Sequence, residues 1–286
     1  MLFLIIAIVL NAFIFALFKW FGLRQINTFH AIVANYFVCV LTGTLFTGPQ
    51  EVLDQPADSQ WLYIALVLGG IFISVFYLMA LTAQRISMAA ASIASKMAFA
   101  IPVLFSIYVL QVETRFGWYN YIGIALALAA TYMSAVGHDS NGREVNLRYW
   151  LLPVLVFLGN GLIDSTINFT NLHYLDQSTA AVFPVYIFLS AAVIGGIILL
   201  VKGERPNRQS LQAGLVLGVV NYFTVYTFLM ALEHYNNNGA LVFPVFNTGI
   251  VALSSLTGIL FFHEKLTPVN KAGIGVAILA IYLVMS

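Results

Sequence analysis

The chain is a succession of apolar runs, each about as long as a bilayer is thick, and this spacing constrains its fold more than any single residue does. Crossing about 30 Å of hydrocarbon at 1.5 Å per residue takes about 20 helical residues. Ten segments approach that length: Leu2–Phe18, Phe29–Thr47, Trp61–Ala83, Ile86–Leu110, Trp118–Val136, Tyr149–Leu172, Thr179–Val201, Leu211–Leu232, Gly239–Phe262 and Val269–Met285. Barrel strands would run about 10 residues with alternating polarity, and that alternation is absent. Composition excludes a soluble fold. Hydrophobic residues make up 61% and charged residues 8%, against about 45–50% and about 25% in water-soluble domains. The expected fold is an all-α membrane protein of ten transmembrane helices. Its N-terminus lacks a basic region before the apolar run, so it reads as a retained first span rather than a cleaved signal.

Several chemistries drop out early. The net charge is +1 with no basic run, which gives nucleic acid nothing to bind. Cys39 is the single cysteine and reads as a small packing residue. His30, His138, His173, His234 and His263 show no metal-ligand spacing, and no phosphate-binding Gly-x-x-x-x-Gly-Lys loop occurs, so neither cofactor, metal nor ATP is expected. An intramembrane protease would need two acids at one depth or a buried histidine. Neither is present, and the chain is not expected to be an enzyme.

The polar stretch Gly137–Arg148 divides the chain near its middle, and the two sides resemble each other. Leu78-Met79-Ala80-Leu81 recurs as Leu229-Met230-Ala231-Leu232, Glu113 falls on Glu264, and Gly123-Ile124 falls on Gly273-Ile274. Residues 1–138 and 139–286 thus form two five-span repeats. Five is odd, so the second copy enters the bilayer upside down, the inverted-repeat plan of many secondary transporters. Lys and Arg give orientation. Lys19, Arg24, Arg85, Arg143, Arg148, Lys202, Arg205, Arg208, Lys265 and Lys271 follow odd-numbered spans, whereas Arg115 alone lies on the other side. The bias predicts a multi-pass protein of the cell (inner) membrane with both termini extracytoplasmic.

Ionisable groups at membrane depth cost about 2.5–3.5 kcal/mol on insertion scales and need a reason to be there. Lys96 lies mid-way along the fourth segment and Asp164 past the middle of the sixth. Asn160, Asp164, Asn168 and Asn171 form one helical stripe, which cannot face lipid without losing hydrogen bonds. Asn11 corresponds to Asn160 across the repeat, and Lys96 to Asn247. Asn221 and Tyr77 are further candidates for lining a cavity. Lys96 and Asp164 have two open readings: a structural ion pair, or a cation and an anion that meet a substrate. Pro102 and Pro244 are candidate kinks, and Gly214-x-x-x-Gly218 is a small-residue helix contact.

The stretch Phe262-His263-Glu264-Lys265-Leu266-Thr267-Pro268, followed by Gly273 and a last apolar span, resembles the EamA-type drug/metabolite transporter superfamily, ten-helix permeases. Glu113-Thr114 and Gly123 give a reduced version in the first half, without the Leu-Thr that follows Glu264. The resemblance implies a ten-helix bundle whose central cavity is lined by spans 1, 3, 4, 6, 8 and 9. It also implies transport of a small-molecule substrate, with export favoured over import. The expected function is secondary transport of a small polar or zwitterionic metabolite such as an amino acid, with a proton as candidate coupling ion. A nucleotide-sugar or drug carrier and a channel-like facilitator are the alternatives. The bilayer is the expected surrounding, and a monomer or a homodimer the expected assembly.

Overall fold

The computed structural model describes residues 1–55, 59–109, 117–135, 149–175, 177–234 and 239–285. Glu113, Thr114, Arg115, His138, Arg143 and Arg148 lie outside the described residues. The chain forms α1 (Leu2–Leu23), α2 (Thr28–Thr47), α3 (Pro49–Leu53), α4 (Gln60–Arg85), α5 (Met88–Met97) and α6 (Ala100–Tyr108). These are followed by α7 (Trp118–Ala135), α8 (Leu151–His173), α9 (Gln177–Val201), α10 (Arg208–His234), α11 (Gly239–Phe262) and α12 (Pro268–Met285). Among the described residues, eight helical stretches are long and apolar enough to cross a membrane, and the Pro268–Val284 helix is apolar but shorter. The described chain is that of a multi-pass helical membrane protein. Large apolar side chains such as Leu200, Val201 and Phe261 stay exposed, as expected of surface that faces acyl chains rather than water.

Three features depart from the sequence expectation. The connector after α2 contains the short helix α3, started by Pro49 at its first turn. The fourth span is not one helix but two. Pro102 has no N–H to offer the carbonyl of Ala98, four residues earlier, and its ring crowds that carbonyl. The chain turns at Ala98-Phe99, and Ala98 O accepts instead from the N–H of Ile101 at 3.0 Å. Lys96 is thereby placed at the last turn of α5, beside the break. The first span also runs on to Leu23, so Lys19 is not a loop cation. It is helical and 5% exposed.

α7 and α12 pack antiparallel through a reciprocal pair of contacts. Asn120, near the start of α7, accepts from the N–H of Gly117 at 2.8 Å and donates to Val284 O at 2.8 Å near the end of α12. Asn270, near the start of α12, accepts from the N–H of Thr267 at 3.1 Å and donates to Met133 O at 3.1 Å near the end of α7. Asn270 is Asn120 shifted by the same offset that carries Gly123 onto Gly273. The helix pairs follow the same exchange: α1 packs on α10 as α8 packs on α4, and α2 packs on α10 as α9 packs on α4. The exchange is incomplete: α1 packs on α4, α2 on α4 and α7 on α8, while α8 and α10, α9 and α10, and α1 and α12 make no comparable contact among the described residues.

The Gly214/Gly218 motif lies at a close helix crossing. A Cβ at Gly218 would lie 2.6 Å from Val38 Cβ and 2.8 Å from Asn35 O, and one at Gly214 would overlap Ala34 and Ala31 of α2. Only hydrogen fits there, which is what lets α2 and α10 approach backbone to backbone.

Candidate functional site

A cavity of about 170 Å³ lies between the middles of the long helices. Asn11 comes from α1, Tyr36 from α2, Phe72 and Phe76 from α4, Ser95 and Lys96 from α5, Asn160 and Asp164 from α8, Phe188 from α9, and Asn221 from α10. Each stands well inside its helix or, for α5, beside the proline-induced break, so the cavity sits at mid-depth. Lys96 and Asp164 line the same space and are not an ion pair, since no carboxylate lies within 4.0 Å of Lys96 among the described residues. The ammonium instead lies 5.4 Å from the centroid of the Phe246 ring, a cation–π contact from α11. Asp164 is exposed to the cavity. Lys96 and Asp164 thus face one void without a direct contact within 4.0 Å.

Around them, polar groups are arranged at different degrees of satisfaction. Asn160 donates to Val156 O at 2.9 Å on its own helix. Asn221 donates to Asn35 Oδ1 at 3.2 Å and touches Cys39 Sγ at 3.6 Å, while the Cys39 thiol donates to Gly218 O at 3.5 Å. Cys39 is fully buried, as its reading as a packing residue requires. The Tyr36 side chain is 1% exposed and its hydroxyl has no hydrogen-bond partner among the described residues. A buried hydroxyl without a partner costs about 1–3 kcal/mol, and here it belongs to a residue of the cavity wall. The ring stacks on Phe188 at 5.9 Å, so the wall offers aromatic surface beside the polar groups.

Five of the eight residues singled out from sequence meet here: Lys96, Asp164, Asn160, Asn11 and Asn221. Asn168, Asn247 and Tyr77 do not line the cavity. At 100° per residue, a stripe repeating every four residues drifts about 40° per step, so Asn168 has swung about 80° from Asn160. The Asn171 side chain lies outside the described residues. Asn247 follows Phe246, the residue that reaches Lys96, and is itself buried in α11. Tyr77 follows the lining residue Phe76 and packs edge-on against Phe29 with centroids 5.7 Å apart. The lining also differs from the span set implied by resemblance. α2 and α9 contribute Tyr36 and Phe188, and among the described residues α11 supplies the Phe246 ring behind Lys96. Tyr36, Ser95 and the supporting Asn35 were missed, although Asn35-Tyr36 is a polar pair in the middle of an apolar run.

A second buried cluster closes one end of the bundle. Lys19 Nζ lies 2.9 Å from Glu264 Oε1, with the side chains 6% and 0% exposed. The Glu264 carboxylate also accepts from the Met88 N–H, at 3.0 and 3.2 Å through its two oxygens. The cluster therefore joins the end of α1, the start of α5 and the connector after α11. Gln84, at the end of α4, donates to Phe18 O at 2.9 Å and to Thr28 Oγ1 at 2.8 Å beside it. Burial pushes the Glu264 carboxyl above its ordinary value, with Lys19 and the Met88 N–H acting the other way. The rest of that motif is a helix start: Thr267 Oγ1 caps the N–H of Asn270 at 3.2 Å, with Pro268 opening α12.

No family model matches the chain. It is similar to an uncharacterized protein of Haemophilus influenzae (strain ATCC 51907 / DSM 11121 / KW20 / Rd), 27% identical over 286 residues, covering 98% of this chain and 96% of the relative. Among solved structures it is similar to one reported only as the crystal structure of a protein. The TM-score is 0.61 at 16% identity, over 99% of this chain and 94% of that one. That likeness extends the helical fold to an experimentally solved chain.

Proposed function

We propose that the protein is a secondary transporter that carries a small zwitterionic metabolite, of which amino acids are the simplest class, through the mid-depth cavity. The observation that carries this reading is the cavity itself, where an ammonium and a carboxylate share one void without pairing. A substrate bearing both charges would meet Lys96 with its carboxylate and Asp164 with its ammonium group. The Tyr36 hydroxyl and the asparagine amides would take its remaining hydrogen bonds. Size supports a small cargo, because drug-sized ligands occupy about 300–1,000 Å³ and this void is about 170 Å³. Large nucleotide sugars fit poorly.

The same reading includes ten spans in two inverted repeats. The reciprocal Asn120 and Asn270 contacts support it, since a twofold relation makes each contact occur twice. The exchanged helix pairs support it as well. One of the unmatched pairs has a place in the mechanism. The Lys19–Glu264–Met88 cluster and the α1–α4 contact hold one end shut, and the repeat-related α8 and α10 make no comparable contact among the described residues. Two halves of like sequence in unlike states are what alternating access around a fixed site requires. Under the Lys/Arg bias the shut end is cytoplasmic.

The test is counterflow of a panel of radiolabelled amino acids in proteoliposomes. Wild type should exchange at least one of them. Lys96→Ala and Asp164→Asn should each lower the exchange at least tenfold, the scale on which losing a charge-assisted hydrogen bond of about 1.5–3 kcal/mol is felt. Unchanged exchange in both variants would remove the two residues from the site.

A further inference from the structure

A second concavity, larger than the central one, lies at the edge of the bundle. A groove of about 680 Å³ runs along the outer face between α1 and α10, at the end closed by Lys19 and Glu264. Phe13, Leu17 and Val216 line its length, and Trp20, Arg24, Gln209 and Gln212 line its mouth. We propose that this groove holds one anionic glycerophospholipid of the surrounding bilayer, with its phosphate on Arg24 and an acyl chain along the apolar floor.

Length supports a whole lipid. From Arg24 to Phe13 is 11 residues of α1, about 16 Å at 1.5 Å per residue, which matches one leaflet, half of about 30 Å. The groove thus begins at the polar boundary and ends near mid-depth. The ordering of its lining is that of a lipid: amide and guanidinium at the mouth, an indole of 40% exposure next, then only apolar side chains. Tryptophan is the side chain that favours the headgroup level.

Charge selects the headgroup. Among the described residues Arg24 has no carboxylate within 4.0 Å and is exposed. Two acids described at that end are already engaged, Glu264 with Lys19 and Glu204 with His30 at 2.7 Å. Arg208 adds a further cation where α10 begins. The mouth is therefore positive, and a guanidinium offers a phosphate two parallel N–H donors. Gln209 and Gln212 supply neutral donors to the remaining oxygens.

Native mass spectrometry of the purified full chain tests this with phosphatidylglycerol, phosphatidylcholine and free glycerol 3-phosphate as probes. Wild type should retain phosphatidylglycerol over phosphatidylcholine by at least about fivefold, the weight of one basic residue at a membrane surface. Arg24→Gln should erase that preference, lowering phosphatidylglycerol retention more than phosphatidylcholine retention. Val216→Trp, which fills the floor from a 44%-exposed position, should lower retention of both lipids, and glycerol 3-phosphate should not be retained. No preference in wild type, or an intact preference in Arg24→Gln, overturns the proposal. So does unchanged lipid retention in Val216→Trp, and retention of glycerol 3-phosphate at the level of the lipid would assign the mouth to a free anion instead.

Discussion

Lys19 and Glu264 show how much one buried pair can ask of a fold. Removing one partner of such a pair leaves an uncompensated charge, so Lys19→Met should cost about 3–5 kcal/mol, while Lys19→Met/Glu264→Gln should recover most of that loss. Chemical denaturation in detergent checks the pair, and additive losses would contradict their coupling. The acid dependence follows from the raised carboxyl. The folded protein holds this proton more tightly than the unfolded chain does. Its stabilising contribution is therefore present below the ordinary value near 4.5 and is lost as pH rises through the folded value. Wild type should gain melting temperature relative to Glu264→Gln on going from about pH 7.5 to about pH 5; a relative loss would reverse the sign assigned here. Tyr36 separates stability from function. Its hydroxyl has no partner among the described residues, so Tyr36→Phe should leave stability unchanged or raise it by about 1 kcal/mol, yet weaken substrate exchange. Lower stability with unchanged exchange would make that hydroxyl structural.

At the scale of helices, what was legible in the sequence depended on whether the signal was length or direction. Length and hydropathy placed eight of the ten expected spans among the described residues, because backbone satisfaction in lipid leaves few alternatives. Direction was harder. Asn160 and Asp164 reach the cavity but Asn168 has rotated off it, since a four-residue period is not the helix period. Lys96 was legible as a charge at depth, while its position at a break came from Pro102, whose effect depends on what surrounds the freed carbonyl of Ala98. Tyr36 gave little signal because an aromatic in an apolar run is ordinary packing until its hydroxyl is seen to lack a partner. The glycine pair was legible as a motif and specific in its outcome. Gly214→Val forces a branched side chain against the α2 backbone and should cost about 1–3 kcal/mol or more. It should also disturb the Asn35–Asn221 bond carried by the same two helices. A melting temperature unchanged from wild type would contradict the closeness of that crossing.

For the whole molecule, the proposed transport requires a hydrated mid-depth space that two like halves open in turn. The proposed repeat rests in the sequence on a tetrapeptide, a glutamate and a Gly-Ile recurring at nearly one offset. The reciprocal contacts of Asn120 and Asn270 that support it had no distinct sequence signal, because an asparagine near a helix start has many local uses. Net charge and the Lys/Arg bias placed the cations by connector. In the folded chain Lys19, Arg24, Arg85, Lys202, Arg208 and Lys265 belong to helix ends brought to one side of the bundle by the Lys19–Glu264, Gln84–Thr28 and His30–Glu204 contacts. The most direct measurement is reaction of a cysteine at Ser95, which lines the cavity beside Lys96, with a membrane-impermeant thiol reagent applied to each face of sealed vesicles. The natural thiol is removed by Cys39→Ala. The account predicts labelling of Ser95→Cys from both faces in separate experiments, slowed by an exchanged amino acid. Labelling from neither face would contradict it.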